Sequence, residues 1–131
     1  MSQENVEIVR DGLDAVNRRD AEAFVRDADP EIEFHAYFSE VLGGTFKRHS
    51  GMRAYISEIA ETFEEFVIEF DDIEDRGDLA VAQLRAHGRG MSGVAVRWHA
   101  VVAVRFRNGK VWRIATRPTE TEALEAVGLL E

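Results

Sequence analysis

The side chains best suited to proton transfer in this sequence are histidines on predicted strands, because the ordinary pKa of histidine lies near neutral pH. They are His35, His87 and His99. His35 or His99 would act as a base, and Tyr37 would donate a hydrogen bond to a developing negative charge. Arg97 or Arg117 would hold an anionic group. This set would suit a cofactor-independent isomerase, cyclase or hydrolase.

The alternation of the predicted strands separates these histidines from the apolar residues. Phe34 and Ala36 share one face of their strand, which leaves His35 on the other face. Trp98 likewise lies on an apolar face and leaves His99 opposite. Since the apolar face of a strand is more often the buried one, this pattern favours histidines on the outside of a sheet.

The inward faces predict an apolar pocket, because several of their residues are large and aromatic. The residues expected to line it are Phe34, Ala36, Tyr55, Trp98 and Val102. Such a pocket would bind a small hydrophobic or aromatic molecule. The sequence has no cysteine and no His-x-x-x-His pair, so it predicts neither a metal site nor a cofactor.

The charge of the chain is strongly divided along its length. The net charge is −9, but residues 1–78 carry 21 acidic and 8 basic residues, whereas residues 79–118 carry eight Lys and Arg and no acid. The acidic first part argues against nucleic-acid binding, which needs an open basic surface. The basic strands could instead face acidic groups of the same chain or of a second copy.

The outward face of the basic strands suits contact between two copies of the chain, since arginine is favoured in protein interfaces. The residues expected at such a homodimer interface are Arg85, Arg97, Val101 and Arg105. The apolar residues predicted on this face are Val81, Val101, Ala103, Val111 and Ala115. A dimeric interaction module is therefore a further alternative to ligand binding and to catalysis.

The periodicity predicts helices first and strands later, which is an α+β order. Helices are expected over residues 3–18 and 20–28 and after a cap at Ser50, with a loop over residues 38–50. Strands are expected over residues 31–36, 66–73, 79–89, 94–107 and 110–117. Asn108-Gly109 predicts a tight hairpin, and Thr119-x-x-Glu122 predicts the start of a last helix.

Local motifs resemble one known superfamily along almost the whole chain. They are the helix that ends in Asn17-x-x-Asp20, Asp29-Pro30 ahead of Ile32-x-Phe34, the Asn108-Gly109-Lys110-Val111 hairpin and the tail of residues 122–129. In these features the chain is similar to uncharacterised bacterial members of the SnoaL-like, nuclear-transport-factor-2-like superfamily, which includes ketosteroid isomerases. The resemblance implies a single domain over residues 1–131. It also implies a curved antiparallel sheet wrapped around the N-terminal helices as a cone-shaped barrel with an internal pocket, and commonly a homodimer.

The resemblance does not extend to the proton-transfer residues of ketosteroid isomerases. Aligned on Asn17 and Asp20, the base of those enzymes falls on Ala36 and the tyrosine on Gly12. The second acid falls on Val102 when the count runs back from the Asn108-Gly109 hairpin. None of these three side chains can move a proton. A slip of one residue would place His35 at the base position, against the alternation of its strand.

The sequence carries no sign of a membrane or secretory protein. No apolar run approaches the ~20 residues that span a bilayer, and residues 1–9 lack the pattern of a signal peptide. With no cysteine to form disulfides, we expect a cytoplasmic protein that has no membrane partner.

Overall fold

The N-terminal helices cover one face of a six-stranded sheet, and a last helix covers part of the other, in the computed structural model of this protein, which describes residues 2–37 and 43–129. The helices are α1 (Ser2–Arg18), α2 (Ala21–Val25), α3 (Arg48–Thr62) and α4 (Glu120–Ala126). The strands are β1 (Ala28–Tyr37), β2 (Gly43–Lys47), β3 (Phe63–Asp75), β4 (Leu79–Gly90), β5 (Ala95–Arg107) and β6 (Lys110–Arg117). This is the predicted α+β fold, a curved sheet wrapped around N-terminal helices as a cone-shaped barrel.

The strand order is β2-β1-β6-β5-β4-β3, and neighbouring strands are antiparallel except for one pair. β1 and β6 run parallel, with Phe34 opposite Ile114 and His35 opposite Ala115. The antiparallel prediction is therefore correct for the other pairs. The final hairpin has the predicted turn, since Asn108 and Gly109 both have positive φ (53° and 75°), as a type I′ turn requires.

The two polar residues of the Asn-x-x-Asp motif have separate structural roles. The Asn17 amide donates to the carbonyl of Ile68 (2.9 Å) and accepts from the Ile68 N–H (2.8 Å), so it pairs with the open edge of β3 as a neighbouring strand would. Asp20 is the N-cap of α2 and accepts from the Ala23 N–H at 3.1 Å. The motif thus fixes α1 against the sheet and then turns the chain into α2.

The segment predicted as a loop over residues 38–50 differs from the prediction where the structure describes it. Gly43–Lys47 forms β2, an edge strand with Phe46 opposite Phe34, and α3 begins at Arg48. Ser50 therefore lies inside the first turn, and Lys47 occupies the N-cap position without a side-chain cap. Residues 38–42 lie outside the described residues. A five-residue strand containing two glycines has too little periodicity to be distinguished from a loop.

The segment around Asp29-Pro30 also differs from its prediction. The helix α2 ends at Val25, and β1 begins at Ala28, ahead of the expected break. Ala28 pairs with Val111, and the register then shifts before Glu33. The shift lets the chain pass Pro30, which has no N–H to donate to a sheet, and rejoin β6.

A bulge reverses the predicted orientation at the start of β6. The β5–β6 register shifts between Arg105, opposite Arg113, and Phe106, opposite Val111, so Trp112 is the extra residue. Val111 consequently lies against the core on the concave side, and its predicted place among the arginines of the outer face is wrong. Trp112 lies outside instead, with the guanidinium carbon of Arg113 4.0 Å from its ring centroid.

The helix α4 covers part of the outer face of the sheet. Beneath it lies a second apolar cluster, separate from the main core. Its buried members are Val81, Val101, Ala103, Ala115, Ala123 and Val127. Thr119 caps the start of α4 at the predicted position, because its hydroxyl accepts from the Glu122 N–H at 3.2 Å and donates to the Glu122 carboxylate at 2.8 Å. No helix within the described ranges is long and apolar enough to cross a bilayer.

Candidate functional site

A cavity of about 100 Å³ lies between the helices and the concave face of the sheet. Its wall is built by α1, α2, α3 and by inward residues of five strands. Valine, isoleucine, leucine and aromatic side chains make up most of this wall. Since inward positions alternate along each strand, the apolar faces seen in the sequence meet at the same cavity.

Four of the five residues expected at the pocket contribute to this wall. They are Phe34, Tyr55, Trp98 and Val102. The fifth, Ala36, is buried with 6% of its surface exposed but does not line the cavity. The neighbouring Tyr37 lines it instead.

The aromatic rings of the wall pack mainly edge to face or tilted. The ring centroid of Tyr55 lies 4.6 Å from that of Phe34 and 6.1 Å from that of Phe24. Across the cavity, the Trp98 ring lies 5.7 Å from Phe66. Such contacts hold large side chains in fixed rotamers and leave an apolar surface of defined shape.

Few polar residues interrupt this apolar wall among the described residues. They are Asp27, Tyr37, Tyr55 and Thr116. Burial raises the pKa of the Tyr55 hydroxyl far above its usual range, so this phenol stays protonated at neutral pH. Thr116, with 7% of its surface exposed, accepts a 2.8 Å hydrogen bond from the Tyr37 N–H.

Sequence reasoning did not single out Asp27 or Thr116. Thr116 lies two residues after Ile114 on the inward side of β6 and opposite Val102 on β5, so strict alternation contained the signal that could have found it. Asp27 lies between α2 and β1, where no periodicity applies. Its carbonyl accepts from the Val111 N–H at 2.8 Å, which fixes this turn against β6.

The three positions that correspond to the proton-transfer residues of ketosteroid isomerases lie in the cavity wall or beside it. Gly12 and Val102 both line the cavity, whereas Ala36 is buried beside it. A Cβ at Gly12 would fit without a clash, since its nearest neighbour, Phe24 Cε1, would lie in ordinary contact at 4.0 Å. The cavity therefore occupies the expected place without proton-transfer groups at these positions.

Neither histidine proposed as a base lines the cavity. His35 lies on the outer side of β1, where its Nδ1 is 3.2 Å from Thr45 Oγ1 and its Nε2 is 3.5 Å from Glu33. Burial lowers the pKa of the His35 imidazole, and the nearby Glu33 carboxylate opposes this shift. His99 is exposed on β5.

The predicted anion-holding arginines are also absent from the cavity wall. Arg97 is exposed on β5, and an Arg117 guanidinium nitrogen donates to the His35 carbonyl at 3.0 Å on the outer side of β1. Of the predicted catalytic set, only Tyr37 reaches the cavity. The set is therefore not assembled around one space.

The residues predicted at a homodimer interface divide into two groups. Arg85 and Arg97 are exposed, and Arg85 pairs with Asp71 at 2.7 Å. Val101 is only 5% exposed beneath α4, and Arg105 donates to the Val127 carbonyl at 3.0 Å. The expectation that Val101 faces a partner is corrected by this placement, because a helix of the same chain already covers it.

Metal-ligand geometry is not found in the described part of the chain. No group of three or more histidine, aspartate or glutamate side chains is placed to hold an ion within residues 2–37 and 43–129.

Comparisons with solved structures agree with this architecture. An NTF2-like protein of unknown function from Burkholderia pseudomallei K96243 superimposes with a TM-score of 0.79 at 20% identity, covering 95% of this chain and 98% of that chain. A putative SnoaL-like polyketide cyclase from Jannaschia sp. CCS1 gives a TM-score of 0.75 at 16% identity, covering 99% and 95%. A ketosteroid-isomerase-like protein from Catenulispora acidiphila DSM 44928, solved with trimethylamine, gives 0.76 at 13% identity, covering 94% and 93%. At these identities the likeness concerns the fold alone.

Sequence comparison gives the family. None of the curated protein sequences matches this chain. The family model for the SnoaL-like domain matches residues 9–114, a stretch that includes β1 to β5 and most of α1 and β6. The chain therefore belongs to the SnoaL-like domain family.

Proposed function

We propose that this protein binds a small, uncharged and mainly apolar molecule in the cavity between its helices and its sheet. The observation that carries the proposal is the cavity itself, about 100 Å³ in volume with a predominantly apolar wall. An engineered apolar cavity of about 150 Å³ accepts benzene. The ligand is accordingly a one-ring molecule, or a larger one of which a single small group enters the cavity.

Gly12 supports this proposal, because its place in the structure has no packing reason. Glycine in the middle of a helix destabilises it by about 0.5–1 kcal/mol relative to alanine. In α1 no neighbour approaches closely enough to exclude a Cβ at Gly12. What glycine provides at this position is the room of a missing side chain in the cavity wall.

The test is a thermal-shift screen of monocyclic aromatics, cyclic ketones and monoterpenes, since a ligand that binds only the folded state raises Tm. We expect hits with the wild-type protein and with His35→Gln. We expect none with Gly12→Leu, whose side chain would occupy the cavity. A folded Gly12→Leu protein, verified by circular dichroism, that keeps the same shifts would contradict binding in this cavity.

The enzyme alternative with His35 or His99 as base is less well supported, because both side chains lie outside the cavity wall. The screen separates the two ideas. If turnover of a hit is detected by NMR, its loss in both His35→Gln and His99→Gln would favour catalysis by the outer histidines. Binding that survives both substitutions favours the cavity as a binding site.

A second proposal concerns association of two copies through the exposed part of the outer face. This part holds a basic row on β4 and β5 beside an acidic row on the edge strand β3. The basic row is Arg85, Arg89 and Arg97, and the acidic row is Glu65, Glu69 and Asp71. Adjacent rows of opposite charge are self-complementary under a two-fold axis. Val67, 37% exposed and opposite His87 on β4, adds apolar surface to this face.

Sedimentation velocity tests this second proposal directly. We expect a dimer at micromolar concentration that dissociates as the salt concentration rises, because salt screens exposed charge pairs. A monomer at both low and high salt would contradict it.

A further inference from the structure

The hydroxyl of Thr116 is a buried polar group on the wall of an apolar cavity. Thr116 is 7% exposed, lies on the inward side of β6 and faces the cavity beside Val102, its partner on β5. A threonine hydroxyl carries one hydrogen to donate and two lone pairs to accept with. How these are used inside the protein decides what remains for a ligand.

The Thr116 hydroxyl accepts a hydrogen bond of normal length but donates only a long one. The Tyr37 N–H donates to Thr116 Oγ1 at 2.8 Å, a normal length. The acceptor for the hydroxyl hydrogen is the Tyr37 carbonyl oxygen, 3.5 Å away. Hydroxyl hydrogen bonds are usually about 2.7–2.8 Å long, so this contact is at the outer limit. Buried donors are normally satisfied, and the exceptions call for an explanation.

This arrangement also explains why the hydroxyl stays in place. The ladder between β1 and β6 ends at the pair His35–Ala115, and the Thr116 side chain then supplies the next acceptor for the β1 backbone. The bond from Tyr37 fixes Oγ1 at the wall while its hydrogen remains able to rotate. A donor held in this way requires little reordering when it meets a ligand.

The charges around the cavity exclude one class of ligand. No lysine, arginine or histidine is among the described residues that line it, and the charged residue among them is Asp27. An anion entering this space would lose its hydration without gaining a counter-charge. A neutral molecule with a hydrogen-bond acceptor avoids that loss and uses the Thr116 donor.

We propose that Thr116 determines the specificity of the cavity by donating a hydrogen bond to a neutral acceptor, such as a ring carbonyl oxygen, on a small cyclic ligand. This inference rests on the proposed binding function and adds the chemical class of the ligand. Thr116 orients the molecule, while the surrounding aromatic and aliphatic residues contact its apolar part.

Two matched probes test the proposal, cyclopentanone and methylenecyclopentane, which share one shape and differ in whether oxygen or CH₂ is bonded to the ring. Their dissociation constants are measured by NMR titration with the wild-type protein, Thr116→Val and Thr116→Ser. The ratio of the two constants is compared between proteins, because the ketone also loses its hydrogen bonds to water on entering any cavity. The comparison is a double-mutant cycle between residue and ligand.

We expect Thr116→Val to weaken cyclopentanone relative to methylenecyclopentane by about three- to tenfold, the usual worth of one net hydrogen bond. Thr116→Ser keeps a hydroxyl, so its ratio should stay within about twofold of the wild-type ratio. Thr116→Val leaves the Tyr37 N–H without its acceptor and could unfold. A measurement on the wild type covers that case: the infrared stretch of bound ¹³C-carbonyl cyclopentanone should lie below its frequency in an alkane solvent.

Several outcomes would overturn the inference. If methylenecyclopentane binds but the ratio is the same in Thr116→Val, or the carbonyl stretch matches the alkane value, Thr116 does not donate to the ligand and the binding proposal stands alone. If cyclopentylammonium binds more tightly than cyclopentanone, the specificity belongs to Asp27. If cyclopentanecarboxylate binds more tightly than cyclopentanone, the ligand is not of the neutral class that we propose. If neither probe binds the wild type, both proposals fail.

Discussion

Asn17 shows how one side chain can close a sheet edge. Its amide makes two hydrogen bonds to the backbone of Ile68, a buried residue of the edge strand β3. Without that amide, a largely buried N–H and C=O would lose their partners, and an unsatisfied buried group costs about 1–3 kcal/mol. We therefore expect Asn17→Ala to lower the free energy of unfolding by about 1–3 kcal/mol, as measured by urea denaturation.

Asn5 provides the matched control for this prediction. It lies on the same helix and donates to the Gly77 carbonyl at 3.1 Å, but this contact is exposed to water. Asn5→Ala should change stability by no more than about 0.5 kcal/mol. Equal losses of unfolding free energy in the two variants would mean that the Asn17 hydrogen bonds stabilise the fold no more than the exposed Asn5 contact does.

His35 gives the protein a pH-dependent contribution to stability. Burial holds the pKa of its imidazole below the ordinary value of 6.5 in the folded state. The neutral form is therefore the one the fold favours. Its contribution is fully present above pH ~6.5 and is lost as the pH falls from there through the folded-state pKa.

Two measurements check that the pKa of His35 is lowered and that stability falls with the pH. The His35 ring signals in an NMR titration should have a midpoint below 6.5. The loss of unfolding free energy between pH 7.5 and pH 5.5 should be smaller in His35→Gln than in the wild type, since glutamine does not titrate. A midpoint above 6.5 would show that Glu33 dominates over burial.

At the scale of elements, two helices each contain an internal glycine for different reasons. A Cβ at Gly12 in α1 would have its nearest neighbour at 4.0 Å, whereas a Cβ at Gly51 in α3 would lie 2.8 Å from the backbone carbon of Phe46 on β2. Gly12→Ala should therefore stabilise the protein by about 0.5–1 kcal/mol through helix propensity. Gly51→Ala should destabilise it by about 1–3 kcal/mol, because backbone would have to move.

Thermal or urea unfolding of both variants measures whether each substitution raises or lowers the free energy of unfolding. The pair forms its own control, since the same methyl group is added to a helix in each case. Two stabilising results would show that β2 can move away from α3 without loss. Two destabilising results would show that Gly12 serves packing in α1, and this would weaken the argument that it keeps space for a ligand.

How far the sequence predicts these elements depends on whether a residue lies within a regular ladder. Phe34, Trp98 and Val102 lie on the concave side as alternation predicted, because each lies within a regular stretch of ladder, on both sides for Phe34 and Val102 and against β4 for Trp98. Alternation gave no prediction for Tyr37, which follows the strand expected over residues 31–36 and lies where the β1–β6 backbone ladder has ended. Alternation failed at Val111, because the bulge at Trp112 adds one residue to β6 and no residue type in the sequence marks it.

Contacts between distant elements were outside the reach of sequence patterns. The capping box predicted α4 correctly, yet nothing in a short amphipathic helix tells which sheet face it will cover. It covers Val101, so a residue that alternation placed correctly on the outer face is not exposed. The cavity volume and the Thr116–Tyr37 contact likewise depend on how helices and strands meet in three dimensions.

At the scale of the whole molecule, the division of charge in the sequence becomes a division in space on the outer face. The basic residues after position 79 lie on β4, β5 and β6, and the acidic row lies on the neighbouring edge strand β3. Some of these charges pair within the chain, as Arg85 does with Asp71 and Arg89 with Glu65 at 3.7 Å. Arg97 is exposed and forms no ion pair among the described residues, so it is the cation most available to a second copy.

If two copies associate through this face, reversing the charge of Arg97 should weaken the dimer, because like charges would then meet across the two-fold axis. We expect Arg97→Glu to raise the dimer dissociation constant at least about tenfold at low salt and less at high salt, as measured by sedimentation. Arg18→Glu, an equal charge reversal on α1 away from the sheet face, should leave the constant within about twofold. An effect of the same size in both variants would mean that net charge, rather than this face, governs association. A dimer insensitive to Arg97→Glu would place the interface elsewhere on the molecule.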